Sequence, residues 1–153
     1  MSLSSFMLEE INLFTEKNLD ECTFLFVEVF NKKPWNESWT FETAKSLLSQ
    51  ILNTPGFIGF ILQKQGIILG FVVGYWEQRD KSKNFYLKEI CVSSNKQRQG
   101  IGTKLIEHLV YRLNEIDVNL IYLLTMKDEY AEVFYSKKGF LASHRMIMMT
   151  KHL

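Results

Sequence analysis

Six residues, Gln97-Arg98-Gln99-Gly100-Ile101-Gly102, have the composition of a turn that can hold an anionic phosphate. They lie between an apolar, strand-like run from Phe85 to Val92 and an amphipathic run from Thr103 to Glu115. A strand, a tight glycine turn and a helix, in that order, aim unbonded first-turn N–H groups outward. The helix dipole adds partial positive charge at the same end. Gly100 and Gly102 lack a Cβ, so backbone can come close to a ligand, and successive N–H groups in such a turn form an anion-binding nest. The pattern is not a nucleotide P-loop, because Thr103-Lys104 follows Gly102 with no glycine at the required upstream position. Nor is it a dinucleotide fingerprint, whose third small position is Leu105 here. A helix-capping turn with no ligand is the alternative that the six residues alone leave open.

Other chemistry-bearing residues are sparse. Cys22 and Cys91 fit neither a metal spacing nor a secreted disulfide framework, which suggests reduced thiols in a cytoplasmic protein. His108, His144 and His152 show no metal spacing, so no metal is expected. Cys91 has no activating histidine near it in sequence, which argues against an acyl-carrying thiol. The net charge of +1 over 153 residues provides no field to draw the chain to nucleic acid or an anionic membrane. Glu9 and Glu10 stand where a signal peptide would be apolar, and the longest apolar run, Gly66 to Trp76, is too short to span a bilayer. With 46% hydrophobic and 23% charged residues, the composition is that of one soluble globular domain, residues 1–153.

The elements that must position the turn follow from periodicity. Met7 to Phe14 alternates weakly and reads as a first strand. Asn18 or Asp20 can cap a helix carrying Cys22, Leu25, Phe26, Val29 and Phe30 at helical spacing, which Lys32-Lys33-Pro34 ends. After the polar-aromatic loop Trp35-Asn36-Glu37-Ser38-Trp39, a second helix runs from about Thr40 to Leu52 and stops at Pro55-Gly56. Phe57 to Leu62 and Ile67 to Trp76 form a hairpin around Gln63-Lys64-Gln65-Gly66, and Asn84 to Val92 completes a three-strand meander. Ile101, Leu105, Leu109 and Leu113 stripe the third helix. Leu120 to Leu124 reads as a buried strand, Tyr130 to Lys138 as a helix capped by Gly139, and Phe140 to Leu153 as a last strand, its methionines filling core or interface. The order implies a mixed sheet with helices on both faces.

The chain resembles the GNAT superfamily of acetyl-CoA-dependent N-acetyltransferases. Gln97, Gly100 and Gly102 meet its Q/R-x-x-G-x-G/A motif, and Phe134-Tyr135-Ser136-Lys137-Lys138-Gly139-Phe140 its C-terminal aromatic-Tyr-x-x-x-Gly-Phe signature. Pro34-Trp35-Asn36-Glu37 and Leu87-Lys88-Glu89-Ile90-Cys91-Val92 are similar to branches related to aminoglycoside acetyltransferases. The resemblance implies an α/β fold whose mixed, mostly antiparallel sheet has six or seven strands and splays at the fourth. It implies that Gln97, Arg98, Gln99, Gly100, Ile101, Gly102 and Thr103 hold the coenzyme A pyrophosphate. Ile90, Cys91 and Val92 would line the pantetheine arm, with the Ile90 N–H on the thioester oxygen. Glu89 is the candidate base and Tyr135 the candidate acid for the departing thiolate. The simpler alternatives are a solvated strand carboxylate and a tyrosine packed beside Phe134. Asp128 stands where many relatives carry an asparagine against the pantetheine arm, and an ionised aspartate cannot donate that bond.

Between the first helix pair and the meander, Trp35, Glu37, Trp39, Tyr75, Trp76 and Glu77 are the candidates to line an acceptor pocket. Aromatics and carboxylates together suit a cationic amine, although tryptophans that only bury the helix–helix loop would show the same residues. The expected partner is a small-molecule amine, with a homodimer implied by relatives; the amine itself is not specified by these residues. A coenzyme A-binding module without turnover is the competing class.

Overall fold

The computed structural model describes residues 8–97 and 99–153; Met7 of the expected first strand and Arg98 of the glycine turn lie outside them. The chain divides into two compact units, one reaching Leu123 and the other running from Leu124 to Leu153.

In the first unit, β1 (Glu9–Leu13), β2 (Phe57–Lys64), β3 (Ile67–Gln78) and β4 (Lys83–Val92) are successive antiparallel neighbours. β5 (Leu120–Tyr122) joins β4 in parallel, giving a sheet in the order β1-β2-β3-β4-β5. The mixed, mostly antiparallel α/β architecture is the expected one, with five strands among the described residues instead of six or seven. The expected hairpin tightens to a two-residue turn at Gln65 and Gly66, both with positive φ, which is the twist that hairpin strands favour.

Two helices cover one face. α1 (Leu19–Phe30) buries Leu19, Cys22, Leu25, Phe26, Val29 and Phe30. Asn18 precedes it, but its carboxamide oxygen instead accepts the Thr15 amide at 2.8 Å, closing the turn before the helix. α2 (Phe41–Leu52) is capped by Thr40, whose hydroxyl accepts the Thr43 amide at 3.1 Å. Both helices share a core with Phe71, Val73 and Cys91 of the sheet. The Cys91 thiol reaches the Leu25 carbonyl at 3.9 Å, and the Glu21 carboxylate accepts the Ile68 amide at 3.1 Å. On the opposite face, α3 (Ile101–Glu115) buries Ile101, Leu105, Ile106, Leu109 and Leu113. Each such side chain contributes about 1.5–3 kcal/mol on full burial. A Cβ on Gly70 would stand 3.1 Å from Ile101 and 3.3 Å from Leu105, so helix and sheet touch there through a missing side chain.

The second unit contains α4 (Tyr130–Lys137), which ends at Gly139 with φ +91. The last strand expected over Phe140 to Leu153 does not form. The Ser143 hydroxyl accepts the amides of Arg145 and Met146 at 3.2 and 3.0 Å, and such local bonds compete with a ladder. Met146, Ile147, Met148 and Met149 follow without polar alternation, and all four are exposed rather than filling a core. Among the described residues, no helix is long and apolar enough to cross a membrane.

Candidate active site

The glycine turn has the geometry its sequence implies. After a short 3-10 turn over Ser94–Lys96, Gln97 is extended and Gly100 takes φ +81 at the N-terminus of α3. A Cβ on Gly100 would meet nothing within 4 Å, so the turn opens onto free space. No acidic residue stands in the first helical turn, and the N-cap residue, Gly100, has no side chain with which to cap it. The first internal bond runs from the Lys104 amide to the Gly100 carbonyl at 3.0 Å, which leaves the amides of Ile101, Gly102 and Thr103 ahead of it. The Ile101 side chain is anchored in the core, so only its main chain faces the turn. Uncapped amides at the positive end of a fifteen-residue helix fit a diphosphate.

Gln97 closes this turn onto the sheet, donating its side-chain amide to the Val92 carbonyl at 3.1 Å. That bond shows which way the end of β4 faces. The Ser93 amide donates to Leu69 of the β3 side at 2.8 Å, and strand backbone alternates with period two. Cys91 therefore turns its main chain to β3, whereas Ile90 and Val92 turn theirs away. β5 pairs only with Asn84, Phe85 and Tyr86, so it stops short of that second half of β4. Ile90 and Val92 thus present main-chain groups to a gap in the sheet, which an extended ligand can join as an added strand. Cys91 does not, and its thiol lies in the core with burial pushing its pKa well up.

A bulge sets the next residue. Leu87 pairs with Gly74 and Glu89 with the adjacent Val73, leaving Lys88 as the extra residue of β4. Before the bulge, Phe85 and Leu87 face α3. After it, Glu89 shares the α1–α2 face with its partner Val73. There Glu89 is half-buried, and its pKa is raised to about 7, first by burial and further by Glu37, against a lowering by Lys88. A carboxylate tuned to that range can take a proton at neutral pH and give it up again.

Glu37 reaches this place from the loop between α1 and α2. Its carboxylate accepts the Trp39 indole N–H at 3.1 Å. Asn31 clamps the loop shut, donating to the Trp39 carbonyl and accepting the Trp39 amide, both at 2.8 Å. The Trp35 and Trp39 rings meet Phe30 and Phe26 edge to face, 5.2 and 4.9 Å between centroids. The tryptophans pack the two ends of the loop on the core, while Asn36, Glu37 and Ser38 between them stay exposed. Tyr75 and Glu77 share the Glu89 face by alternation, and Tyr86 and Tyr122, which periodicity did not single out, stand beside them. Burial pushes the Tyr86 hydroxyl up first, with Tyr75 and Glu89 adding to it. Trp76 departs from expectation. It lies on the α3 face under the Lys83 ammonium, 5.0 Å from the ring, and that ammonium also meets the Ile116 carbonyl at 3.2 Å. Of the residues expected to line an acceptor pocket, Tyr75 and Glu77 thus share the Glu89 face with the loop that carries Trp35, Glu37 and Trp39, and Trp76 does not.

In the second unit, Tyr135 is buried between Phe134 and Phe140, 5.3 and 5.5 Å from their centroids. Asp128 has φ +62, its amide donates to the Glu132 carboxylate, and it borders a hollow of about 560 Å³ with Val133, Ser136 and Lys137. Among the described residues no group of histidine, cysteine and carboxylate side chains could hold a metal ion.

Helix-start amides, an interrupted β4–β5 seam and a carboxylate turned across the sheet by a bulge are the features that the first unit brings together. Residues 17–140 match the model of the acetyltransferase (GNAT) family, and the chain belongs to that family. Among solved structures it is similar to a possible acetyltransferase from Clostridium difficile 630, at TM-score 0.81 and 12% identity over 95% of this chain and 99% of that one. It is also similar to an aminoglycoside acetyltransferase from an uncultured soil metagenomic sample, solved with sisomicin, at TM-score 0.74 and 24% identity over 99% of both chains. A third is the aminoglycoside N-acetyltransferase AAC(6')-Iy in complex with CoA, at TM-score 0.75 and 16% identity over 96% of this chain and 97% of that one.

Proposed function

We propose that this protein moves an acetyl group from acetyl-CoA to a primary amine by direct attack within a ternary complex, with no acyl-enzyme. The observation that carries the reading is the half-buried Glu89, raised to about 7 beside Glu37 at the open half of β4. Acetyl-CoA, as substrate, supplies the activated acetyl thioester. The amides from Gln99 to Thr103, with Gln97 and Arg98 flanking them, hold its diphosphate, and the outward main-chain groups of Ile90 and Val92 align its arm. Each charge-assisted bond of this kind contributes roughly 1.5–3 kcal/mol, so a few support micromolar affinity. The Ile90 N–H faces the oxygen on which negative charge develops. Glu89 takes the proton from the incoming ammonium, directly or through water. The C–N bond forms as the C–S bond breaks, the departing thiolate receives a proton from Tyr135, an assignment supported by the motif, and the second proton shed by the new amide nitrogen restores Tyr135 through water. Cys91, buried with its thiol pKa pushed up, is unsuited to carry the acyl group.

The protein is mixed with acetyl-CoA and a panel of small amines, and release of free thiol is followed. Turnover that falls in Glu89→Gln and Tyr135→Phe supports the reading. Tight acetyl-CoA binding with no thiol release across the panel overturns it in favour of a coenzyme A-binding module.

A further inference from the structure

The sheet register places one tyrosine on each of three adjacent strands, with Tyr75 opposite Tyr86 and Tyr86 opposite Tyr122. Directly paired residues share a face, so the rings form a continuous strip with centroids 5.8 and 4.6 Å apart. The strip crosses β3, β4 and β5 two residues along β3 from the Val73–Glu89 pair. Two residues further along β3, on the other side of the strip, Glu77 accepts the Tyr122 hydroxyl at 2.8 Å, and a carboxylate has acceptor capacity beyond one such bond. The strip already holds one cation, because the Lys88 ammonium stands 4.8 Å from the Tyr86 centroid, within reach of cation–π attraction. Val73, the partner of Glu89, is four steps along β3 from Glu77. At roughly 3.3 Å per residue the two carboxylate-bearing positions lie about 13 Å apart.

We infer that the acceptor is an elongated molecule with an ammonium group at each end and an uncharged middle, its reacting end at Glu89 and Glu37 and its far end held by Glu77 beyond the Tyr75–Tyr86–Tyr122 strip. The inference rests on the acetyl-transfer reading above and adds the class of acceptor. The middle is uncharged because Lys88 already occupies the central ring and repels a second cation there. Ring faces suit the CH₂ groups or sugar ring of such a span.

The test compares kcat/KM for diaminobutane, diaminohexane, diaminooctane and diaminodecane, each beside its mono-N-acetyl counterpart, which keeps the length and loses one charge. A diamine offers two equivalent amines and its mono-acetyl counterpart one, so the ratio is expected near two for the shortest pair. It should rise a further five-fold or so for the longest, the contribution of about one partly exposed ion pair. Glu77→Gln should return that long-chain ratio to near two. Spermine, with its interior ammonium groups, should trail diaminodecane. A ratio independent of length, or one that survives Glu77→Gln, overturns the inference and leaves acetyl transfer standing; spermine outpacing diaminodecane overturns the uncharged middle. If no amine releases thiol, the transfer reading falls, and calorimetric titration of diaminodecane decides the subsite. Tighter binding to the native protein than to Glu77→Gln supports it, and equal binding overturns it.

Discussion

The side-chain amide of Gln97 donates to the main-chain carbonyl of Val92 across 3.1 Å, joining the residue that opens the glycine turn to the last residue of β4. One bond thus ties the proposed diphosphate site to the proposed arm site. Gln97→Leu removes it while keeping similar bulk. A neutral hydrogen bond contributes about 0.5–1.5 kcal/mol, so acetyl-CoA should bind roughly two- to ten-fold more weakly in calorimetry. Unchanged affinity would mean that the turn and the strand hold their positions independently.

Glu89 predicts a pH profile. With its pKa raised to about 7, kcat/KM should climb as pH rises through that value and level off above it. Glu89→Gln should abolish the limb and lower the rate by about 10²–10⁴. Stability moves the other way. A carboxylate whose folded pKa lies above its unfolded value of 4.5 carries no penalty below that value. The penalty grows as pH rises and is complete above about 7. The native protein should therefore lose more Tm than Glu89→Gln across that window. Parallel Tm curves for the two would refute the burial of the charge.

Asn31 touches nothing that reacts, yet it makes two of the bonds that close the Trp35–Trp39 loop, beside the Glu37 amide on the Phe30 carbonyl at 2.9 Å. Asn31→Ala should loosen Trp39 and, through its indole, the Glu37 carboxylate. Loss of two half-buried bonds costs about 1–3 kcal/mol, and part of it should appear as a raised KM for the amine. The Kd for acetyl-CoA should stay within two-fold of native, roughly 0.4 kcal/mol. A variant that loses acetyl-CoA affinity and amine KM together would place the loop elsewhere in the mechanism.

How much of this was legible in the sequence depended on what each feature rests upon. The glycine turn and the α3 stripe of Ile101, Leu105 and Leu109 are local, and spacing alone indicated them. The face of Glu89 was not legible. Phe85, Leu87 and Glu89 alternate as if on one side, and only the extra Lys88 moves Glu89 across. A bulge depends on the opposing strand, here Val73 and Gly74, about fifteen residues away, and leaves no period of its own. The same blindness paired Trp76 with Tyr75, neighbours in sequence on opposite faces. The tyrosine strip stayed hidden because its members belong to three strands. The final strand was expected from apolar content, which cannot reveal that Ser143 takes two of the amides for itself.

Two glycines should separate folding from binding. A Cβ on Gly74 would stand 2.1 Å from the Tyr86 carbonyl oxygen and 2.7 Å from the Phe85 ring, beside the bulge that orients Glu89. Neither can yield without moving β4, so Gly74→Ala should cost about 1–3 kcal/mol or more and lower Tm by several degrees. A Cβ on Gly100 meets nothing within 4 Å, and only its φ of +81 resists the substitution, at about 1–2 kcal/mol. That methyl would point into the open space where a phosphate oxygen must approach the α3 amides. Gly100→Ala should therefore lower Tm only by the few degrees that its φ imposes but weaken acetyl-CoA binding about ten-fold, or 1.4 kcal/mol. Thermal unfolding with and without acetyl-CoA measures both at once. If Gly100→Ala keeps the full ligand-induced rise in Tm, the diphosphate is not held at this turn.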